Sequence, residues 1–142
     1  MEGKNAMLNR VIYLTASSKY PERYNHSELT PELLENADEL IEAVNSFLLE
    51  IGVDDLSVSS GFRPKAVNAA TKGASTTSQH MICRAVDLVD KDGSLSKKCA
   101  AHPDLLRKYG LFLENPVQTK GWCHLDKSRT RADRPSRVFS AK

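Results

Sequence analysis

At 142 residues the chain is long enough for one hydrophobic core, and its 40% apolar and 27% charged residues are those of a soluble globular domain. A formal net charge of +2 is too small to argue for nucleic acid by itself, so no nucleic-acid partner is expected. Three cysteines, Cys83, Cys99 and Cys123, with no CxxC spacing argue against a disulfide framework and against a cysteine zinc site.

The segment 1–28 reads as polar and irregular, anchored by Tyr13, Tyr20 and Tyr24, with His26 in a turn-like setting. Its short apolar stretch Val11-Ile12-Tyr13-Leu14 is no signal peptide, and no run approaches the ~20 apolar residues of a membrane span. A single domain over 1–142, made in the cytoplasm without a leader, monomeric and not inserted in a membrane, is therefore expected. From Thr30 a helix is announced: a capping hydroxyl, Pro31 at the first helical position and Glu32 at the positive dipole end. Leu33, Ala37, Leu40, Ile41, Val44, Phe47, Leu48 and Ile51 recur at three- and four-residue intervals, so one face is apolar, and Gly52 closes the helix.

Leu56–Ser60 alternates as a short strand and exits abruptly through Gly61-Phe62-Arg63-Pro64, which holds Arg63 at the strand's carboxyl end. A guanidinium there is either surface decoration or a fork for a carboxylate. Residues 65–77 read as a loop with at most one helical turn. Ala85–Val89 is a strand carrying Asp87, Asp90-Lys91-Asp92-Gly93 a turn without the later ligands of a calcium loop, and 95–108 a helix restarted at Pro103. Leu111–Glu114 and Trp122–Asp126 read as antiparallel partners. With a period of two, Trp122, His124 and Asp126 share one face and Cys123 and Leu125 the other. The tail 127–142 carries six Lys or Arg against Asp133 alone, the composition of a solvated, fraying terminus or of a weak polyanion contact.

His80, Asp87 and His124 together form a common ligand set for catalytic zinc, two imidazoles and a carboxylate with a position left for water. Each residue alone also fits an ordinary half-buried strand or turn position. In combination and order, Ser60-Gly-Phe-Arg-Pro64, Ser78-Gln-His80 followed after six residues by Asp87-Leu88, and Trp122-x-His124-Leu125 resemble the zinc D-alanyl-D-alanine carboxypeptidase and L-alanyl-D-glutamate endopeptidase family, especially its small phage-borne members.

That resemblance implies an α+β domain of hedgehog/DD-peptidase type, with helices packed on a small antiparallel sheet that carries the ligands. It implies Zn²⁺ held by His80, Asp87 and His124, and a substrate-carboxylate or transition-state role for Arg63. The substrate it implies is the stem peptide of bacterial peptidoglycan, cut by an endolysin-like endopeptidase or a D,D-carboxypeptidase. Such a protein would reach the cell wall through a pore or as part of a virion. Many members carry the catalytic carboxylate three residues before the last histidine, where this chain has Gly121. The expected general base is then Glu114, brought in by strand pairing, with Asp126 its rival and a more natural orienter of His124. The alternative is a metal-containing binding module of the same fold without hydrolysis, which the missing acid at Gly121 favours.

Overall fold

Asn9 accepts from the Ile12 amide at 2.9 Å, which caps a one-and-a-half-turn helix, α1 (Arg10–Thr15). This is the first departure from the sequence reading, which had irregular chain here. The computed structural model describes residues 7–16, 28–70, 78–127 and 137–139, so Tyr20, Tyr24 and His26 lie outside the described residues. Helix α1 shows little amphipathic pattern because only Tyr13 turns fully inward, its hydroxyl donating to the Ala85 carbonyl at 2.8 Å.

Helix α2 (Pro31–Glu50) begins as expected, with Thr30 accepting from the Leu33 amide and Pro31 in the first turn. Ala37, Leu40, Ala43, Val44, Phe47 and Leu48 form its buried face. A capping hydroxyl contributes about 1 kcal/mol, whereas each large apolar side chain withdrawn from water contributes roughly 1.5–3 kcal/mol. The stripe therefore holds α2 to the body of the protein, and the cap only decides where it starts.

The remaining elements are β1 (Val58–Ser60), α3 (Lys65–Ala70), a 3₁₀ turn at Gln79–Ile82, β2 (Ala85–Asp90), α4 (Ser94–Ala100), α5 (Pro103–Lys108), β3 (Phe112–Glu114), β4 (Gly121–Asp126) and β5 (Val138–Phe139). Asp90 ends β2 and starts α4 at once, its carboxylate accepting from the Leu95 and Ser96 amides at 3.0 and 2.8 Å. The strands form one sheet in the order β1-β2-β4-β3-β5. The architecture is α+β, but the sheet is mixed rather than antiparallel, because β5 runs parallel to β3. It also brings part of the tail into the sheet: Leu113 and Glu114 pair with Val138 and Phe139, so those two residues do not fray.

Strands β2 and β4 form the centre, paired from Ala85↔Asp126 to Asp90↔Gly121. Alternation sends Val86, Leu88, Cys123 and Leu125 into the same core cluster as the α2 stripe. It sends Asp87 and His124, which are register partners, to the opposite face. Among the described residues no helix is long and apolar enough to cross a membrane.

Candidate metal centre

Three short stretches deliver the site. The 3₁₀ turn, capped by Ser78 Oγ accepting from the His80 amide at 3.1 Å, presents His80. Central strands β2 and β4 present Asp87 and His124. One ligand atom from each of the three lies within 4.8 Å of the others. His80 Nε2 is 3.3 Å from Asp87 Oδ2, and His124 Nδ1 is 2.8 Å from Asp87 Oδ1. Zinc with bonds of about 2.0–2.1 Å and tetrahedral angles separates its ligands by roughly 3.3 Å, which the two carboxylate–imidazole spacings approach.

The far nitrogens complete the fit. His80 Nδ1 donates to the Gly61 carbonyl at 2.8 Å, and His124 Nε2 donates to Asp126 Oδ2 at 2.8 Å. Each acceptor fixes its ring and leaves the near nitrogen, Nε2 of His80 and Nδ1 of His124, for the shared centre. The donor set, its spacing and its oriented imidazoles therefore suit zinc.

Electrostatics run the same way. Burial alone would push the Asp87 carboxyl up, but the facing imidazoles outweigh it and hold it well below the usual carboxylate range. Burial pulls the His124 imidazole down, and hydrogen bonds to Asp126 and Asp87 overcome that and push it up to about 10. Protons and a cation therefore compete for the same buried negative charge.

Arg63 is buried against this centre. Its Nη2 reaches Asp87 Oδ2 at 3.3 Å, its Nε reaches Ser60 Oγ at 2.9 Å and its Nη1 reaches Asn68 Oδ1 at 3.2 Å. The strand-end position expected from Gly61-Phe62-Arg63-Pro64 is thus met, and the fork's first carboxylate is the protein's own Asp87. Ser60 itself is aimed by a bulge: β1 pairs Val58↔Leu88 and then Ser60↔Asp87, leaving Ser59 extra.

The two acids considered as bases stand differently. Asp126 is fully buried with its carboxylate on the side of the His124 ring away from the ligand cluster. Glu114 is half-buried at the end of β3. The β3–β4 register runs Phe112↔Asp126 and Leu113↔Leu125, and Glu114 pairs on its other side with Phe139, whose ring meets His124. Gly121, where the resembling family often has its acid, has φ +102°, a conformation L side chains rarely adopt. Trp122 is half-buried and pairs with the exposed Val89 beside this row.

Sequence reasoning missed the contributions of Ser60, Gly61, Asn68 and Phe139. Gly61 had a signal, since a glycine closing a strand marks close backbone approach. A Cβ there would stand 2.0 Å from the Tyr13 carbonyl oxygen. Phe139 packs its ring against His124, centroids 5.9 Å apart, although it lies in the stretch read as fraying tail.

The profile of the Peptidase M15 family matches residues 22–126. The chain belongs to that family. Membership makes it a metallopeptidase of a zinc-dependent, peptidoglycan-acting class, and the His80–Asp87–His124 group lies inside the matched segment. No curated protein and no solved structure matches the chain.

Proposed function

We propose that this Peptidase M15 member hydrolyses peptide bonds in the stem peptides of bacterial cell wall, as an endolysin-like endopeptidase or a D,D-carboxypeptidase. The observation that carries the reading is the convergence of His80, Asp87 and His124 ligand atoms within 4.8 Å of one another. Those three residues would hold Zn²⁺. Bound there, zinc supplies Lewis acidity, lowering the pKa of a water from ~15.7 towards ~7 and polarising a carbonyl.

The chain's own groups do the rest. Asp126 keeps the His124 ring in one tautomer, and the Gly61 carbonyl does the same for His80. Arg63 uses three of its five N–H groups on Ser60, Asn68 and Asp87. The other two are available to a substrate carboxylate or to the oxygen that gains charge as the carbonyl is attacked. Glu114, the register partner of the Phe139 that packs on His124, takes a proton from the attacking water and returns it to the leaving amine. Asp126 is the weaker candidate for that role, since its carboxylate is engaged by His124 Nε2.

The protein would act at the wall after release through a pore or as part of a virion. A second reading, a binding module that retains the metal and recognises a peptide without cutting it, is favoured by Gly121 in place of an acid. Purified sacculi incubated with the protein, with and without a chelator, separate the two. New amino groups that appear only with metal support the peptidase, and mass spectrometry of the fragments names the bond. Stoichiometric zinc with no cleavage of any wall or D-amino-acid peptide would leave the module.

A further inference from the structure

Strand β5 lies outside the segment matched to the family, which ends at Asp126, and yet its last residue touches a candidate ligand. Phe139 is 4% exposed, and its ring meets the His124 ring edge-on, at 5.9 Å between centroids and 77° between planes. The His80 ring also meets His124, at 5.4 Å and 63°. His124 therefore touches two rings as well as two carboxylates. Edge-to-face aromatic pairs add stabilisation beyond buried area, which biases a ring with few orientations open to it.

The two-residue strand is too short to stay docked by its ladder alone, and the structure supplies further fastenings. Leu113 N donates to the Arg137 carbonyl at 2.8 Å and Asn115 N to the Phe139 carbonyl at 2.7 Å. The Arg137 side chain folds back, Nε donating to the Leu111 carbonyl at 3.0 Å and the guanidinium lying 3.7 Å over the Phe112 ring. Arg137 has φ +61°, a costly conformation for a side-chain-bearing residue that the surrounding contacts must maintain. Strained backbone, a buried guanidinium and two main-chain bonds hold a segment whose buried aromatic ring ends against His124.

We propose that Phe139 is a positioning residue of the metal centre, and that β5 is a strap whose task is to set the orientation of the His124 ring. The inference rests on the metal-site reading above. Phe139 touches neither the ligand cluster's shared centre nor, in this scheme, the substrate; it acts through His124. Its loss should weaken metal binding and widen the geometry of the site before it alters substrate recognition.

The test uses the full chain and zinc competition against a chromophoric chelator. Phe139→Ala should weaken zinc binding about tenfold, the lower end of what losing a ligand-orienting partner costs. Phe139→Leu, which keeps bulk without the ring edge, should fall between Ala and the parent. The cobalt-substituted protein should show a changed visible spectrum in Phe139→Ala, and hydrolysis should lose kcat with KM nearly constant. Arg137→Ala, which loosens the strap and leaves Phe139 in place, should reproduce part of the loss if Phe139→Ala proves too unstable to purify. A folded Phe139→Ala protein with parental zinc affinity and cobalt spectrum would overturn the proposal. If the parent binds no metal, the metal-site reading falls by itself. The strap is then judged from the imidazole resonances of His124, which must move in Phe139→Ala and would refute the contact if they did not.

Discussion

The two halves of the sheet are built to different standards. Strands β2 and β4 share six register pairs at the centre, and the candidate ligands Asp87 and His124 face each other across one of them. Strands β3 and β5 are three and two residues long, and the candidate base Glu114 sits at the end of β3. One half carries the candidate cation site on long pairing, buried charge and oriented imidazoles; the other ends a short ladder on an acid. Binding the ion and moving the proton are therefore separable here, and substitutions in each half should separate them.

The largest effect is expected in the central half. His80→Ala and His124→Ala should each lose zinc and hydrolysis together, read by metal analysis and sacculus digestion, while circular dichroism stays that of the parent. Asp87→Ala should do the same and also destabilise the fold by roughly 3–5 kcal/mol, because it strands the buried Arg63 guanidinium. Equal melting points for Asp87→Ala and His80→Ala would show that Arg63 does not depend on Asp87.

Next comes Glu114→Gln in the outer half. Zinc content should be unchanged and hydrolysis should fall by about 10²–10⁴-fold, the usual worth of a positioned general base. Full activity in that variant would move the proton transfer elsewhere. Gly121→Glu sharpens the contrast: φ +102° should cost about 1–2 kcal/mol, and the new acid should fail to restore activity to Glu114→Gln.

The smallest effect concerns Cys83, which closes the 3₁₀ turn after His80 with φ +60°. Burial pushes its thiol up to about 12 from an ordinary value of 9.0. A raised pKa means the fold prefers the neutral thiol. The contribution to stability is therefore complete below pH 9 and is lost as pH rises towards 12. Labelling with a thiol reagent at pH 8 should be slow and should track unfolding. Rapid labelling of the folded protein would contradict this burial.

What the sequence made legible follows from range. Helix α2 is a local object, and its apolar period and Thr30-Pro31 start could be read directly. The residues that meet at the site, His80, Asp87 and His124, could be named from their types and order. Their meeting depends on the pairing of β2 with β4 and on a 3₁₀ turn, neither of which any local pattern states. The parallel docking of Val138–Phe139 was invisible for a stronger reason. Two residues show no period, and a parallel partner has no hairpin turn to announce it. The polar company of the tail pointed the other way. Arg63 shows the remaining gap: its location at the strand end was readable, but not that Asp87, rather than substrate alone, occupies the fork.

Gly61 ties the beginning of the chain to the chemistry. Its nitrogen-side neighbour is Ser60, its carbonyl holds His80, and its missing side chain is what lets the Tyr13 carbonyl press in and accept from the Phe62 amide at 3.2 Å. Tyr13 in turn reaches Ala85 at the head of β2. A fragment excised at the family-matched boundaries would thus lose Tyr13 at one end and Phe139 at the other, and engineering of this protein has to retain both.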